Sequence, residues 1–262
     1  GLGDVYKRQY YDSNVSLVEC STFDVLAQAV LAGDCDQAVM AIENSIAGSI
    51  LPNYALLDRN ELVIVGEFYL SIQHNLMGLP GQSITDIEEV HSHPMALLQC
   101  KKFFRDYPLI KLVESHDTAE EALKISEKNI MSRAAIAGVR AAEIYRLSII
   151  SESIQTIKNN VTRFVIVQKE IPEQQDKISK AAWKLVLDHK RGSLATALNV
   201  MSDCNLNLTK IQSLPVIETP GKYAFFVDVT FDKVKDYFKA KSLLKIMASS
   251  LKVLGEYESD KS

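Results

Sequence analysis

The chain lacks the long apolar runs and the excess of basic residues that mark membrane and nucleic-acid proteins. No stretch reaches the roughly 20 consecutive apolar residues that span a bilayer. The 29 basic and 33 acidic residues give a net charge of -4. A negative net charge disfavours binding to a phosphate backbone over a broad surface. We therefore expect no membrane and no nucleic acid as partner. Since the first residues lack a basic segment leading into an apolar run, we expect a cytoplasmic protein.

Cysteine and glycine motifs are also missing. The four cysteines are scattered, without a Cys-x-x-Cys pair or a histidine at zinc spacing: Cys20, Cys35, Cys100 and Cys204. Neither a disulfide framework nor a metal site is expected, and the cysteines are interpreted as small buried hydrophobic residues. No glycine-rich phosphate loop and no Ser-His-Asp motif occurs. The polar segments described below look suited to a small anion.

What is present is a regular alternation of apolar strands and amphipathic helices. With 262 residues, 47% of them apolar, the chain is long enough for two cores. Helical spacing from Thr22 ends at Gly33, and the short apolar run Gln37 to Ile42 is typical of a buried strand. Similar alternation continues to Val167. The pattern predicts an α/β region with a largely parallel sheet covered on both faces.

A change of composition marks the predicted domain boundary. The stretch from Gln168 to Lys180 is polar, charged and interrupted by Pro172, which is typical of a linker. We assign residues 1–168 to a first region, 169–180 to the linker and 181–262 to a second domain. The second domain has the order strand, helix, strand, strand, helix, strand, which is the ferredoxin-like βαββαβ order.

A first polar segment, with Glu43, Asn44 and Ser45 followed by Gly48 and Ser49, comes directly after a predicted strand. If a helix begins there, its outward N–H groups and dipole could bind a carboxylate. Ordinary N-capping is the more common reason for Asn44 or Ser45 at such a position.

A second polar segment places His91 and His93 before a helix that begins at Pro94. Two histidines at this spacing could suggest a metal pair, but no third ligand stands nearby. We interpret His93 as a capping or pocket-lining residue. A third segment, Asp117-Thr118 with Glu121, is accounted for by a capping box.

A fourth segment opens the last strand before the linker with Thr162, Arg163 and Phe164. The guanidinium could clamp a carboxylate with two hydrogen bonds, and the neighbouring hydroxyl could donate to a leaving oxygen. A solvated arginine at a strand start is the alternative.

Taken together and in this order, the four segments resemble the prephenate dehydratase family. Its pattern contains Ile-Glu-Asn-Ser followed by Gly-Ser, then His-Pro-x-Ala-Leu, Asp-Thr-Ala and Thr-Arg-Phe, and all four match this sequence in register. The resemblance covers about Asn14 to Tyr257. It implies two α/β lobes like those of a type II periplasmic binding protein, with the active site in the cleft between them. It also implies that the chain returns to the first lobe near Thr162.

The resemblance implies the reaction as well. Prephenate loses its ring carboxylate as CO2 and its ring hydroxyl as water, giving phenylpyruvate. Because aromatisation drives the reaction, no cofactor and no metal is expected. The implied roles are contact of Thr162 with the leaving hydroxyl and pairing of Arg163 with a carboxylate. The remaining implied catalytic or substrate-binding residues are Glu43, Asn44, Ser45, Gly48, Ser49, His93 and Phe164.

The C-terminal region resembles the ACT regulatory domain fused to these enzymes. Gly192-Ser193-Leu194 replaces the usual Gly-Ala-Leu, and Leu208 to Ile211 match directly. Where the family often has Glu-Ser-Arg-Pro, this chain has Gln212, Ser213, Leu214 and Pro215, so both charges are lost. The resemblance implies phenylalanine as effector and a homodimer or homotetramer.

Two departures from the family pattern keep other functions open, namely the changed Gln212 to Pro215 segment and the N-terminal segment. The N-terminal GLGDVYKRQ does not match the first strand and glycine-rich loop of the family, which predicts that this part of the site is missing. The alternatives are a module that binds a small anion without converting it, and an inactive regulatory homologue. The pairing of Thr162-Arg163-Phe164 with Glu43-Asn44-Ser45 favours the dehydratase, since a mere binder has no reason to share both.

Overall fold

A computed structural model describes residues 15–115, 118–171, 177–215 and 223–260. The chain divides into two compact units. The central unit contains Leu70–Thr162 and the residues up to Glu19, and the composite unit contains Cys20–Tyr69 and Arg163–Ser262. The chain therefore leaves the composite unit once and returns to it at Arg163, a path with the excursion that the resemblance implies.

The strands are numbered in chain order. They are β1 (Ala38–Asn44), β2 (Gly48–Ser49), β3 (Val63–Ser71), β4 (Asn75–Gly78), β5 (Glu89–Ser92), β6 (Lys111–Glu114), β7 (Arg133–Ala137), β8 (Ser148–Ser151), β9 (Val161–Gln168), β10 (Lys180–Val186), β11 (Asn207–Pro215), β12 (Tyr223–Thr230) and β13 (Ser250–Tyr257).

The helices are numbered in the same way. They are α1 (Phe23–Ala32), α2 (Leu51–Arg59), α3 (Pro94–Cys100), α4 (Thr118–Lys128), α5 (Val139–Tyr145), α6 (Ser193–Asp203) and α7 (Val234–Met247), with 3₁₀ turns at Ile84–Asp86 and Phe103–Asp106.

Local signals explain where α1 begins and ends. The Thr22 hydroxyl accepts the Val25 N–H at 3.2 Å, and Gly33 ends the helix in the left-handed conformation with φ of 82°. A glycine tolerates this conformation because it has no Cβ. Both predicted ends of the helix are confirmed.

The central unit contains a five-stranded sheet in the order β6-β5-β7-β4-β8. Strand β5 is parallel to β6 and β7, whereas β4 is antiparallel to β7 and β8. Four strands of this sheet thus run in one direction and β4 runs in the other, so the prediction of a largely parallel sheet was wrong for β4. Short apolar runs such as these do not reveal strand direction, because a buried strand is apolar in either orientation.

The composite unit contains an eight-stranded sheet in the order β11-β12-β10-β13-β3-β9-β1-β2. Its C-terminal part has the predicted βαββαβ order, and β10 lies between β12 and β13 as antiparallel neighbours. The four C-terminal strands thus continue the sheet of the first region. Helices α6 and α7 cover one face of these four strands around Trp183 and Tyr237. The other face shares a core with α1, α2 and β1.

The junction between the two parts of this sheet depends on one glycine. Gly255 of β13 is paired with Ile64 of β3 in parallel register. A Cβ at Gly255 would lie 2.3 Å from the Ile64 carbonyl oxygen and 2.6 Å from its Cβ. Only glycine lets the two backbones approach so closely.

The described residues include no helix long and apolar enough to cross a membrane. Cys100 and Cys204 are buried as predicted, whereas Cys20 and Cys35 are only half-buried.

Candidate active site

The Glu43-Asn44-Ser45 segment forms a strand end and a tight turn. Strand β1 continues to Asn44 and pairs with β2, with Glu43 opposite Ser49 and Asn44 opposite Gly48. The Asn44 Oδ1 accepts the N–H groups of Ile46 at 3.0 Å and Ala47 at 2.9 Å. Gly48 supplies a φ of 81°, so the turn needs both an Asx side chain and a glycine.

This geometry corrects one sequence interpretation. No helix begins at Asn44 or Ser45, because the following helix, α2, begins only at Leu51. The dipole of a helix N-terminus therefore does not act at these two residues. Ser45 is exposed and Ser49 is half-buried, while Asn44 holds the turn.

Arg163 lies on β9 with its side chain only 5% exposed. Its Nε donates to Glu67 Oε2 at 2.7 Å, one terminal nitrogen donates to Asp228, and the other donates to the Tyr257 hydroxyl at 2.9 Å. Burial lowers the pKa of Arg163, but Asp228 and the other anionic partners outweigh burial and raise it. The alternative of a solvated arginine is wrong, since this guanidinium is buried and paired with carboxylates of the protein itself.

A second buried cation shares the Glu67 carboxylate. The Lys180 ammonium lies 2.7 Å and 2.8 Å from the two Glu67 oxygens, and it donates to the Tyr69 hydroxyl at 3.3 Å. Burial, followed by the nearby Arg163, lowers the pKa of Lys180, although Glu67 opposes the shift. Burial also raises the pKa of Tyr69 to about 12.

Glu43 brings the first motif into contact with this group of charges. Its Oε2 lies 3.9 Å from an Arg163 terminal nitrogen and 2.9 Å from the Lys210 ammonium on β11. We call the whole set the ion cluster. It contains three cations and three anions, namely Arg163, Lys180, Lys210, Glu43, Glu67 and Asp228. Equal numbers of opposite charges are what a buried polar cluster needs to avoid a large desolvation cost.

The neighbours of Arg163 on β9 point the other way, since strand side chains alternate. Phe164 is buried and stacks on Phe68 with ring centroids 5.3 Å apart. Thr162 is 9% exposed and is the last residue of the central unit.

The histidine segment belongs to the central unit. The His93 Nδ1 accepts the Met95 N–H at 3.2 Å, so His93 caps α3 as predicted. The ring of His91 lies 2.9 Å from Glu89 and 3.4 Å from Glu121. Asp117, which the sequence predicts as the N-cap of α4, lies outside the described residues.

The predicted regulatory residues lie near the end of the C-terminal sheet at which β10 and β11 terminate. Gly192 precedes α6 with φ of 83°, and Ser193 and Leu194 begin the helix, with Leu194 packed on the C-terminal core. Gln212 to Pro215 end β11. Val186 at the end of β10 and Leu214 near the end of β11 both pair with Ala224. The turn at Gly192, which follows β10, and Pro215, which ends β11, therefore belong to the same end of the sheet. Within Gln212 to Pro215, the Gln212 amide donates to the Ser213 carbonyl at 3.1 Å.

The sequence interpretation did not identify Glu67, Lys180, Lys210, Asp228 or Tyr257. One signal was available for two of them. Glu67 and Asp228 are single acidic residues inside otherwise apolar strands, VIVGEFYLS and YAFFVDVT. An acid in such a place costs stability unless it has a partner.

A family model described as prephenate dehydratase matches residues 5–172. The chain belongs to the prephenate dehydratase family. The match begins inside the N-terminal segment GLGDVYKRQ, which lies outside the described residues.

Relatives of the prephenate dehydratase family extend over nearly the whole chain. Arogenate dehydratase/prephenate dehydratase 2, chloroplastic, of Arabidopsis thaliana is 36% identical over 258 residues, which are 94% of this chain and 68% of that relative. The chain thus spans about two thirds of the length of this relative. The solved prephenate dehydratase of Arthrobacter aurescens in complex with L-Phe is 25% identical with a TM-score of 0.86, covering 98% of this chain and 86% of that one. A solved quorum-quenching acylase is 26% identical with a TM-score of 0.87, covering 98% and 94%. Family membership and the dehydratase relatives make this chain a dehydratase, an enzyme of the lyase class.

Proposed function

We propose that the chain converts prephenate to phenylpyruvate in phenylalanine biosynthesis. The observation that supports this most is the contact between two family motifs. Glu43 and Arg163 lie on the neighbouring strands β1 and β9, with 3.9 Å between carboxylate and guanidinium. Segments that are distant in sequence converge in this way when they form a common site.

The proposed reaction needs no oxidant or reductant. The bond between the ring and its carboxylate breaks and releases CO2, and its electron pair enters the ring. The carbon–oxygen bond of the ring hydroxyl breaks at the same time, and the hydroxyl departs as water after taking up one proton. The protein has to orient a dianion and donate to the departing oxygen.

We assign the donation to Thr162. A threonine hydroxyl is a very weak acid, so Thr162 acts by positioning the leaving hydroxyl or relaying a proton. Ser45 and Ser49 supply hydroxyls for the substrate, and Asn44 and Gly48 shape the turn that carries them. Glu43, which lies beside Arg163, is proposed as a further catalytic residue, and His93 and Phe164 are proposed as further substrate contacts.

The contacts of Arg163 favour a role different from the simple clamp that the sequence suggests. Its guanidinium already pairs with Glu67 and Asp228. We therefore propose that Arg163 positions β9 and Glu43, and that its positive charge attracts the dianion from within the protein. A direct bidentate pair with a substrate carboxylate would require it to release partners that are themselves buried.

The test uses two variants of Thr162, one that lacks the hydroxyl and one that retains it. Thr162→Val removes the hydroxyl and keeps the shape, and Thr162→Ser keeps the hydroxyl. Phenylpyruvate formation should fall by about 100-fold or more in Thr162→Val and by far less in Thr162→Ser. Near-normal turnover in Thr162→Val would remove Thr162 from the mechanism.

The same assay separates the rival functions. The Arabidopsis relative carries arogenate as well as prephenate in its name, so both compounds are offered at equal concentration. A higher kcat/KM for arogenate would change the proposed substrate but not the proposed type of reaction. No turnover of either compound, with tight binding of prephenate, would favour the non-catalytic binding module. Because a solved quorum-quenching acylase is similar in structure, an acylase assay serves as a control.

We further propose that the C-terminal domain is an ACT-type domain that binds phenylalanine and makes the protein a homodimer or homotetramer. The support is the ferredoxin-like strand order and the position of Gly192 and Pro215 at the same end of the sheet. The L-Phe complex of the Arthrobacter protein adds to it. Calorimetry with phenylalanine should show saturable heat, and Gly192→Val should abolish it because valine disfavours the left-handed backbone. The absence of heat at millimolar phenylalanine would contradict this proposal.

A further inference from the structure

Lys210 is a buried cation that none of the assigned roles uses. Its side chain is 7% exposed, and its ammonium lies 2.9 Å from Glu43 Oε2. The same nitrogen lies 4.8 Å from the centre of the Tyr54 ring. The Glu43 side chain remains 36% exposed, so this ion pair lies at the boundary between the buried cluster and solvent.

A β-bulge directs Lys210 toward this position. Leu208 pairs with Val229, and Lys210 pairs with Asp228, which leaves Thr209 as an extra residue in β11. Leu208 and Val229 pack in the core under α6 and α7. The extra residue moves Lys210 to the opposite face of the sheet, where Asp228 contacts Arg163. Bulges commonly redirect a side chain in this way next to functional sites.

Packing alone does not account for a lysine here. Burial lowers the pKa of Lys210, and its pairing with Glu43 opposes that shift. A buried ammonium is costly unless a carboxylate accompanies it. A methionine of similar length would fill the same space beside Tyr54 without the need for a carboxylate partner, so packing does not explain why the residue is charged.

We infer that Lys210 is a positioning residue of the dehydratase site, holding the Glu43 carboxylate in the place where it meets the substrate. The C-terminal domain would then supply part of the catalytic apparatus in addition to any regulation. This inference rests on the proposed dehydratase function. A second cation, Arg163, lies farther from Glu43, at 3.9 Å.

The experiment compares full-length variants by steady-state conversion of prephenate. Lys210→Met should lower kcat/KM by about tenfold, since misplacing a catalytic group by about an ångström can cost up to 100-fold. Most of the loss should appear in kcat. Lys210→Arg should recover most of the activity because it restores a cation. The double variant Lys210→Met/Glu43→Gln should be no worse than Glu43→Gln alone, since Lys210 acts through Glu43.

A matched control separates positioning from general docking of the C-terminal strands. Lys184 on β10 also pairs with an acid of the first region, Asp58 at the end of α2, but it lies outside the ion cluster. Lys184→Met should keep kcat/KM within about twofold of the parent. Unchanged kcat/KM in Lys210→Met, or multiplicative losses in the double variant, would overturn the inference alone. An inactive parent chain would instead overturn the proposed function, and the inference with it.

Discussion

Replacement of Asp228 by asparagine removes one charge from the ion cluster and keeps the shape of the side chain. Asp228 is 5% exposed and pairs with Arg163, which is also 5% exposed. The variant would leave three cations with two carboxylates, and water barely reaches the Arg163 guanidinium that loses its partner. Because solvent cannot screen the extra positive charge, the folded state should lose stability.

The size of the loss follows from the remaining partners. Removing one partner of a buried ion pair costs about 3–5 kcal/mol. Arg163 keeps Glu67 at 2.7 Å and the Tyr257 hydroxyl at 2.9 Å, and the asparagine oxygen can still accept a hydrogen bond. We therefore expect the lower end, about 3 kcal/mol of unfolding free energy.

Urea unfolding followed by tryptophan fluorescence measures this loss. The chain has one tryptophan, and Trp183 is fully buried in the core of the C-terminal domain. Its signal therefore reports unfolding of the sheet that contains Asp228. Asp232→Asn is the control, since Asp232 is exposed and such a change should cost less than about 0.5 kcal/mol. Equal midpoints for the two variants would refute the reasoning that the ion cluster stabilises the fold.

Two further predictions concern the sheet junction and a buried histidine. Gly255→Ala should cost about 1–3 kcal/mol in the same urea experiment, because its Cβ would overlap Ile64; an unchanged midpoint would mean that β13 and β3 separate without cost. Burial lowers the pKa of His74 below its ordinary value of 6.5, although the hydrogen bond that its Nε2 donates to Gln99 Oε1 at 2.9 Å opposes the shift. The unfolded chain therefore takes up the proton first, so the stability that neutral His74 provides is complete above about pH 6.5 and falls as pH decreases toward the lower folded pKa. His74→Gln should flatten the dependence of unfolding free energy on pH in that window, and an identical slope in both proteins would exclude His74 as its source.

The sequence by itself determined the elements whose signals are local. Helix α1 was predicted from the apolar spacing that starts at Thr22 and from Gly33, which ends it. The βαββαβ order of the C-terminal domain was predicted for the same reason, since each strand and helix carries its own periodicity. The family motifs also located both Glu43 and Arg163 before any geometry was known.

The tertiary structure alone decided what these motifs contact. The Asn44 segment proved to be a hairpin turn because β2 pairs with β1, a contact that no local pattern encodes. Arg163 acquired Asp228 as a partner, and Glu43 acquired Lys210, because the C-terminal strands join the first sheet through Gly255. Local spacing specifies helices and strands, whereas the burial of a charge and the identity of its partner depend on which distant strands become neighbours.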